Sequence, residues 1–126
     1  MTDAETTGWA RTAARAADAK SGSHTVVLEV GDILAITECF VITSAPNTRL
    51  VRTIAEEVEH HVAEAGGGKP LRVEGLDDLR WVLLDYGAFV VHVFLEEARG
   101  YYELERLWGD VPRIEWATER AAEGRD

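Results

Sequence analysis

One cysteine, three prolines, two lysines and no long apolar run are the scarcities of this 126-residue chain. Cys39 alone cannot form an intramolecular disulfide, which points to a reducing compartment. No apolar stretch approaches the roughly 18 residues that suggest a membrane span. Met1-Thr2-Asp3-Ala4-Glu5 is acidic, whereas a signal peptide opens basic and turns apolar. The expected location is therefore cytoplasmic, with no membrane partner. Basic residues are also few, 13 against 23 acids, for a formal charge of -10. Nucleic-acid affinity comes largely from cations set against phosphates, so this balance disfavours direct nucleic-acid contact. Anionic lipid is disfavoured for the same reason. A basic macromolecule is the charged partner such a field suits.

What the chain does have is apolar residues, 46% of the total, enough for one domain core without metal or disulfide. From Thr7 to Lys20, Trp9 and several alanines recur at helical spacing, and Ser21-Gly22-Ser23 stops that helix. Thr25 to Val30 is β-branched and almost continuously apolar, the pattern of a strand covered on both faces. Cys39 to Thr43 reads as a second strand. Asn47 is placed to cap a helix from Thr48 to Ala65, which Gly66-Gly67-Gly68 ends. A short strand spans Leu71 to Glu74. Trp81–Asp85 and Phe89–Phe94 flank Tyr86-Gly87-Ala88, an antiparallel hairpin signature. A last helix from about Glu97 places Tyr101, Leu104, Leu107 and Trp108 on one face and stops at Gly109. The order αββαβββα predicts an α/β (α+β) fold, a mixed sheet of about five strands with helices packed on it. A single domain is expected over residues 1–112, including the N-terminal helix. Residues 113–126 form a polar tail, expected to be partly disordered.

Three groupings could carry chemistry. Gly66-Gly67-Gly68-Lys69 imitates a phosphate loop, but it follows a helix, and Pro70 stands where a magnesium-binding hydroxyl belongs. His60 and His61 sit among Glu56, Glu57 and Glu64, yet i,i+4 spacing supplies only two ligands at a time. His92 lies mid-strand, and the hairpin brings Asp85 or Trp81 onto its face. An Asp85–His92 pair supports general base catalysis, whereas a satisfied or partner-facing histidine needs no nucleophile. A metal-dependent nucleotidyltransferase or hydrolase using Asp85 and His92 with Asp77 or Asp78 is the enzymatic alternative. Cys39, inside an apolar strand, reads as inert. Eight of the ten aromatics fall from Trp81 onward. Adjacent Tyr101 and Tyr102 cannot both point inward from a helix, which suits either a protein-binding surface or ordinary exposed apolar area.

The run Trp81-Val82-Leu83-Leu84-Asp85-Tyr86-Gly87, then Val90-Val91-His92-Val93-Phe94, Arg99, Tyr101-Tyr102, Leu104-Glu105 and Leu107-Trp108, resembles the ribosomal silencing factor, or Iojap-like, family. Phe40-Val41-Ile42 and Glu74-Gly75 match it upstream, so the resemblance spans about Asp32 to Pro112. Glu38-Cys39, Ala45-Pro46 and Ala88 depart from the family pattern. The resemblance implies a fold like that of nucleotidyltransferases and a non-enzymatic, homodimeric translation repressor without cofactor or metal. It implies binding to the large ribosomal subunit through ribosomal protein L-fourteen, blocking small-subunit joining when nutrients are scarce. Thr43-Ser44-Ala45-Pro46-Asn47 lacks the paired carboxylates that phosphoryl transfer needs. The expected partner-binding residues are Trp81, Leu83, Asp85, Tyr86, His92, Arg99 and Tyr101.

Overall fold

The computed structural model describes residues 4–31, 37–102 and 110–117, with 100–102 as backbone only. Helix α1 (Ala4–Ala19) precedes β1 (Ser23–Glu29) and β2 (Cys39–Ala45). Then come α2 (Thr48–Glu64), β3 (Arg72–Glu74), β4 (Trp81–Asp85), β5 (Phe89–Leu95) and α3 (Glu96–Tyr102). This is the αββαβββα order, folded as a five-stranded mixed sheet with helices. The strands lie in the order β1-β2-β5-β4-β3. Only β2 and β5 run parallel, and they sit at the centre. The expected continuation of the last helix through Leu104, Leu107 and Trp108 lies outside the described residues.

Local chemistry accounts for the element ends. Asn47 Oδ1 accepts from Leu50 N–H at 2.8 Å, pairing one of the free donors at the start of α2. At the other end, Gly66 N–H and Gly67 N–H donate to the carbonyls of Ala63 and Val62. A Cβ on Gly67 would fall 2.5 Å from Val62 Cγ1 and 3.2 Å from Trp9 Cγ. The glycine run is therefore a helix stop that lets Trp9 close over α2.

Helices α1 and α2 cover one face of the sheet. Ala10, Ala13, Ala14 and Ala17 are fully buried, and their small side chains let α1 approach its neighbours closely. They join Val51, Ile54, Val58 and Val62 from α2 and Val41, Leu84, Val91 and Val93 from the sheet. The N-terminal helix thus packs on its own chain. The opposite face carries a second cluster of Leu28, Val30, Ile42 and Phe94. Strand β1 is accordingly buried on both sides, Val27 in one cluster and Leu28 in the other.

Residues 110–117 lie against the outer edge of β1. Leu28 and Arg113 form an antiparallel bridge. Glu29 N–H donates to Pro112 O, and Ile114 N–H donates to Val27 O, both at 2.9 Å. Trp116 Nε1 donates to Thr25 O at 3.1 Å. From α1, Arg11 Nε and Arg15 Nε donate to the carbonyls of Glu115 and Trp116. The tail expected from Arg113 therefore begins within a strap that covers a sheet edge, and residues 118–126 lie outside the described residues. An uncovered edge strand is a template for unwanted pairing.

Gly75, directly after β3, makes the closest backbone approach among the described glycines. Its φ is +90°, and a Cβ there would lie 2.0 Å from the Trp81 carbonyl oxygen. Gly75→Ala is expected to cost at least about 2 kcal/mol, since backbone must move at a positive φ. Chemical denaturation with Trp fluorescence measures it, and an unchanged midpoint contradicts the close approach. Trp116→Ala is expected to lower the melting temperature by about 3–6 °C, equivalent to about 1 kcal/mol in a domain of this size. Unaltered melting in calorimetry would mean that the strap adds nothing to stability.

Candidate functional site

Strand alternation and register assemble the site on the face opposite α1 and α2. The antiparallel β4–β5 register sets Trp81 opposite Phe94, Leu83 opposite His92 and Asp85 opposite Val90. Directly opposed residues share a face, so Trp81, Leu83, Asp85 and His92 converge. The parallel β2–β5 register adds Phe40 beside Val90 and Ile42 beside His92.

A hydrogen bond organises the aromatic part. Trp81 Nε1 donates to His92 Nδ1 at 3.1 Å. Trp81 also stacks on Phe94, with centroids 5.0 Å apart. Phe40 meets the imidazole edge to face at 4.7 Å. His92 is only 5% exposed, and burial pushes its pKa down to about 4. The ring is therefore neutral near pH 7, and because Nδ1 accepts, the proton sits on Nε2. That Nε2 is buried without a hydrogen-bond partner.

Asp85 does not serve His92. Its Oδ1 accepts from Gly87 N–H at 2.8 Å, and its Oδ2 pairs with Arg72 Nη2 at 3.4 Å. The aspartate thus shapes the hairpin turn and ties β4 to the edge strand β3. Asp78 is occupied locally, accepting from Arg80 N–H at 3.3 Å. The Asp–His relay required by the enzymatic alternative is not formed: Asp85 is bonded to Gly87 and Arg72, and Trp81 donates to His92 Nδ1. His60 and His61 pair separately with Glu64 and Glu57 along exposed α2. Among the described residues, no group of three or more His, Cys, Asp or Glu side chains could hold a metal ion. Burial pushes the Cys39 thiol up to about 12, with Glu38 adding to the shift, which leaves it protonated.

Between β3, β4, β5 and the start of β2 lies an open cleft of about 440 Å³. Phe40, Leu83, Val90 and His92 supply apolar and aromatic walls, with Arg72 and Asp85 at one side. Leu71, 79% exposed, also lines the cleft. Of the seven expected partner residues, Leu83, Asp85 and His92 line it, and Trp81 stands beside it through its bond to His92. Tyr86 stacks on Phe89 at 4.5 Å and packs into the helix-side core. Arg99 is buried elsewhere, with Nη1 donating to Ser23 O at 3.1 Å and Ser44 Oγ at 3.0 Å. It binds α3 to the ends of β1 and β2. The side chain of Tyr101 lies outside the described residues. Sequence reasoning missed Phe40 and Leu71 as walls, because only the sheet order places β2 and the approach to β3 beside the hairpin.

A buried neutral imidazole has a pH signature. The unfolded chain's imidazole, near its ordinary value of 6.5, takes up a proton that the folded chain refuses until about pH 4. The stability that His92 allows is therefore complete above pH 6.5 and falls as pH drops towards 4. Relative to His92→Gln, whose amide oxygen still accepts from Trp81, the wild type should lose up to about 1.4 kcal/mol per pH unit. Parallel denaturation curves for the two across that range would contradict the neutral, buried ring.

Comparison with known proteins agrees with this architecture. The family model described as "Ribosomal silencing factor during starvation" matches residues 3–126. The "Ribosomal silencing factor RsfS" of Halalkalibacterium halodurans is 41% identical over 103 residues, 82% of this chain and 87% of that protein. A mouse relative, "Mitochondrial assembly of ribosomal large subunit protein 1", is 33% identical over 86 residues, 65% of this chain and 37% of its own. A crystal structure of a Chromobacterium violaceum protein superposes with a TM-score of 0.77 at 28% identity, covering 94% of this chain and 97% of that one. Sequence and fold together place this chain in the ribosomal silencing factor (RsfS, Iojap-type) family.

Proposed function

We propose that this chain silences translation by docking, without catalysis, on the large ribosomal subunit through ribosomal protein L-fourteen. Bound there, it blocks joining of the small subunit when nutrients are scarce. Its setting in this reading is the cytoplasm, and the free protein is a homodimer. The observation that carries the reading is the cleft on the open sheet face, lined by Leu83, Asp85 and His92, with Trp81 bonded to His92 at its side. Aromatic and aliphatic walls beside a few polar groups suit a protein contact. The names of relatives support a ribosomal partner, and the mouse relative's name specifies the large subunit. Arg99 and Tyr86 enter this account as supports, Arg99 by fixing α3 and Tyr86 by packing the hairpin onto α2. Tyr101 remains a proposed contact residue.

The formal charge of -10 selects among ribosomal surfaces. An acidic protein is repelled by ribosomal RNA and attracted to a basic ribosomal protein, with faster encounter at low salt. Leu83 is the cleanest probe of the cleft, since it is half-exposed and makes no hydrogen bond through its side chain. Leu83→Glu is expected to remain folded by circular dichroism and to weaken cosedimentation with large subunits at least tenfold. Wild-type cosedimentation by that variant would remove the cleft from the interface.

A further inference from the structure

His92 carries a donor that the fold leaves unused. Trp81 donates to its Nδ1 at 3.1 Å, Phe40 meets the ring edge to face at 4.7 Å, and Phe94 lies near-parallel to it at 6.3 Å. These contacts fix the ring's orientation, and the bond accepted at Nδ1 puts the proton on Nε2. No acceptor meets that buried N–H among the described residues. Buried polar groups are nearly always paired, so an orphaned one calls for an explanation.

The ring's position supplies one. Its two nitrogens lie on different edges, so with Nδ1 turned to Trp81, Nε2 is directed away from the indole. The cleft lies on that side, towards Val90 and Asp85 and away from the Trp81–Phe94 end of the hairpin. His92 lines the cleft while only 5% exposed, so the donor sits just beneath the wall. Leu83, opposite His92 in the register and half-exposed, is the wall side chain with room to swing aside. Such rotamer changes are common when interfaces form.

The surroundings decide what kind of acceptor fits. Arg72, the cation in the cleft wall, already faces Asp85 at 3.4 Å and Glu74 at 3.6 Å. An incoming carboxylate or phosphate would meet two acids for one base, and would lose its hydration beside Phe40 and Leu83. An uncharged carbonyl oxygen on an apolar segment avoids both penalties. We infer that His92 Nε2–H is the donor by which the cleft holds its partner, taking an uncharged carbonyl oxygen from an apolar segment of the docked ribosomal protein. This contact stands on the docking reading above and names its central polar bond.

Two variants separate the donor from its scaffold. His92→Gln offers an amide oxygen to Trp81 and an amide N–H on the cleft side, whereas His92→Met offers neither. Cosedimentation with large subunits is expected to stay close to wild type for His92→Gln and to weaken at least about tenfold for His92→Met. Because His92→Met also leaves the Trp81 indole unpaired, the wild-type chain provides a second measurement. In nuclear magnetic resonance with isotope-labelled histidine, the His92 Nε2–H proton is expected to move downfield when purified L-fourteen protein binds. An unmoved proton in a formed complex, or His92→Met binding as tightly as His92→Gln, overturns the inference and leaves docking standing. A wild-type chain that does not bind L-fourteen removes the docking reading, and this contact with it.

Discussion

The parallel pairing of β2 with β5 is the constraint on which the rest depends. Two parallel neighbours cannot be joined by a tight turn, so the chain must cross over between them. It does so through α2, β3 and β4, which puts α2 on one face and returns the hairpin on the far side of β5. The seven residue pairs from Cys39–Phe89 to Ala45–Leu95 fix the register. A slip of one residue would exchange the two faces. Phe89, Val91 and Val93 would leave the helix-side core, and His92 would enter it.

With the register set, the two faces take different work. The helix-side face is saturated with aliphatic side chains and small helix residues, and it supplies stability. The other face holds polar groups among aromatics: an indole bonded to a neutral imidazole, an aspartate tied to a turn, and an arginine at the edge. Each polar group has a structural partner that fixes its direction, apart from the buried Nε2 of His92. Burial holds His92 neutral, the bond from Trp81 occupies the nitrogen that would act as a base, and Asp85 is committed elsewhere. Such a surface offers a partner a shape and a fixed hydrogen-bond pattern, which is the use proposed for it.

Much of this was legible in the amino-acid order. Asn47 and the spacing of Val51, Ile54, Val58 and Val62 announce α2, because capping and helical periodicity are local. The alternation of Trp81, Leu83 and Asp85 against Val90, His92 and Phe94 gives the shared face, because a hairpin fixes its own register. Non-local pairing was not legible. Nothing near Phe40 says that β2 will lie parallel to β5, so its contact with His92 stayed hidden. Arg99 looked like a surface cation because arginine is seldom buried. Its partners, Ser23 O and Ser44 Oγ, lie more than fifty residues upstream. Arg113 to Trp116 looked like the start of a polar tail, since one isoleucine and one tryptophan make no periodic pattern. Their place on β1 follows from an open sheet edge, which exists only once the sheet is built.

The central claim is that the open cleft face is a plug for a ribosomal surface and not a catalytic centre. It is tested most directly by light scattering of purified small and large subunits on mixing, with this protein added to the large subunits first. The account predicts that the joining amplitude falls in proportion to occupied large subunits. Joining at the normal rate and amplitude, with the protein bound in excess, would contradict it.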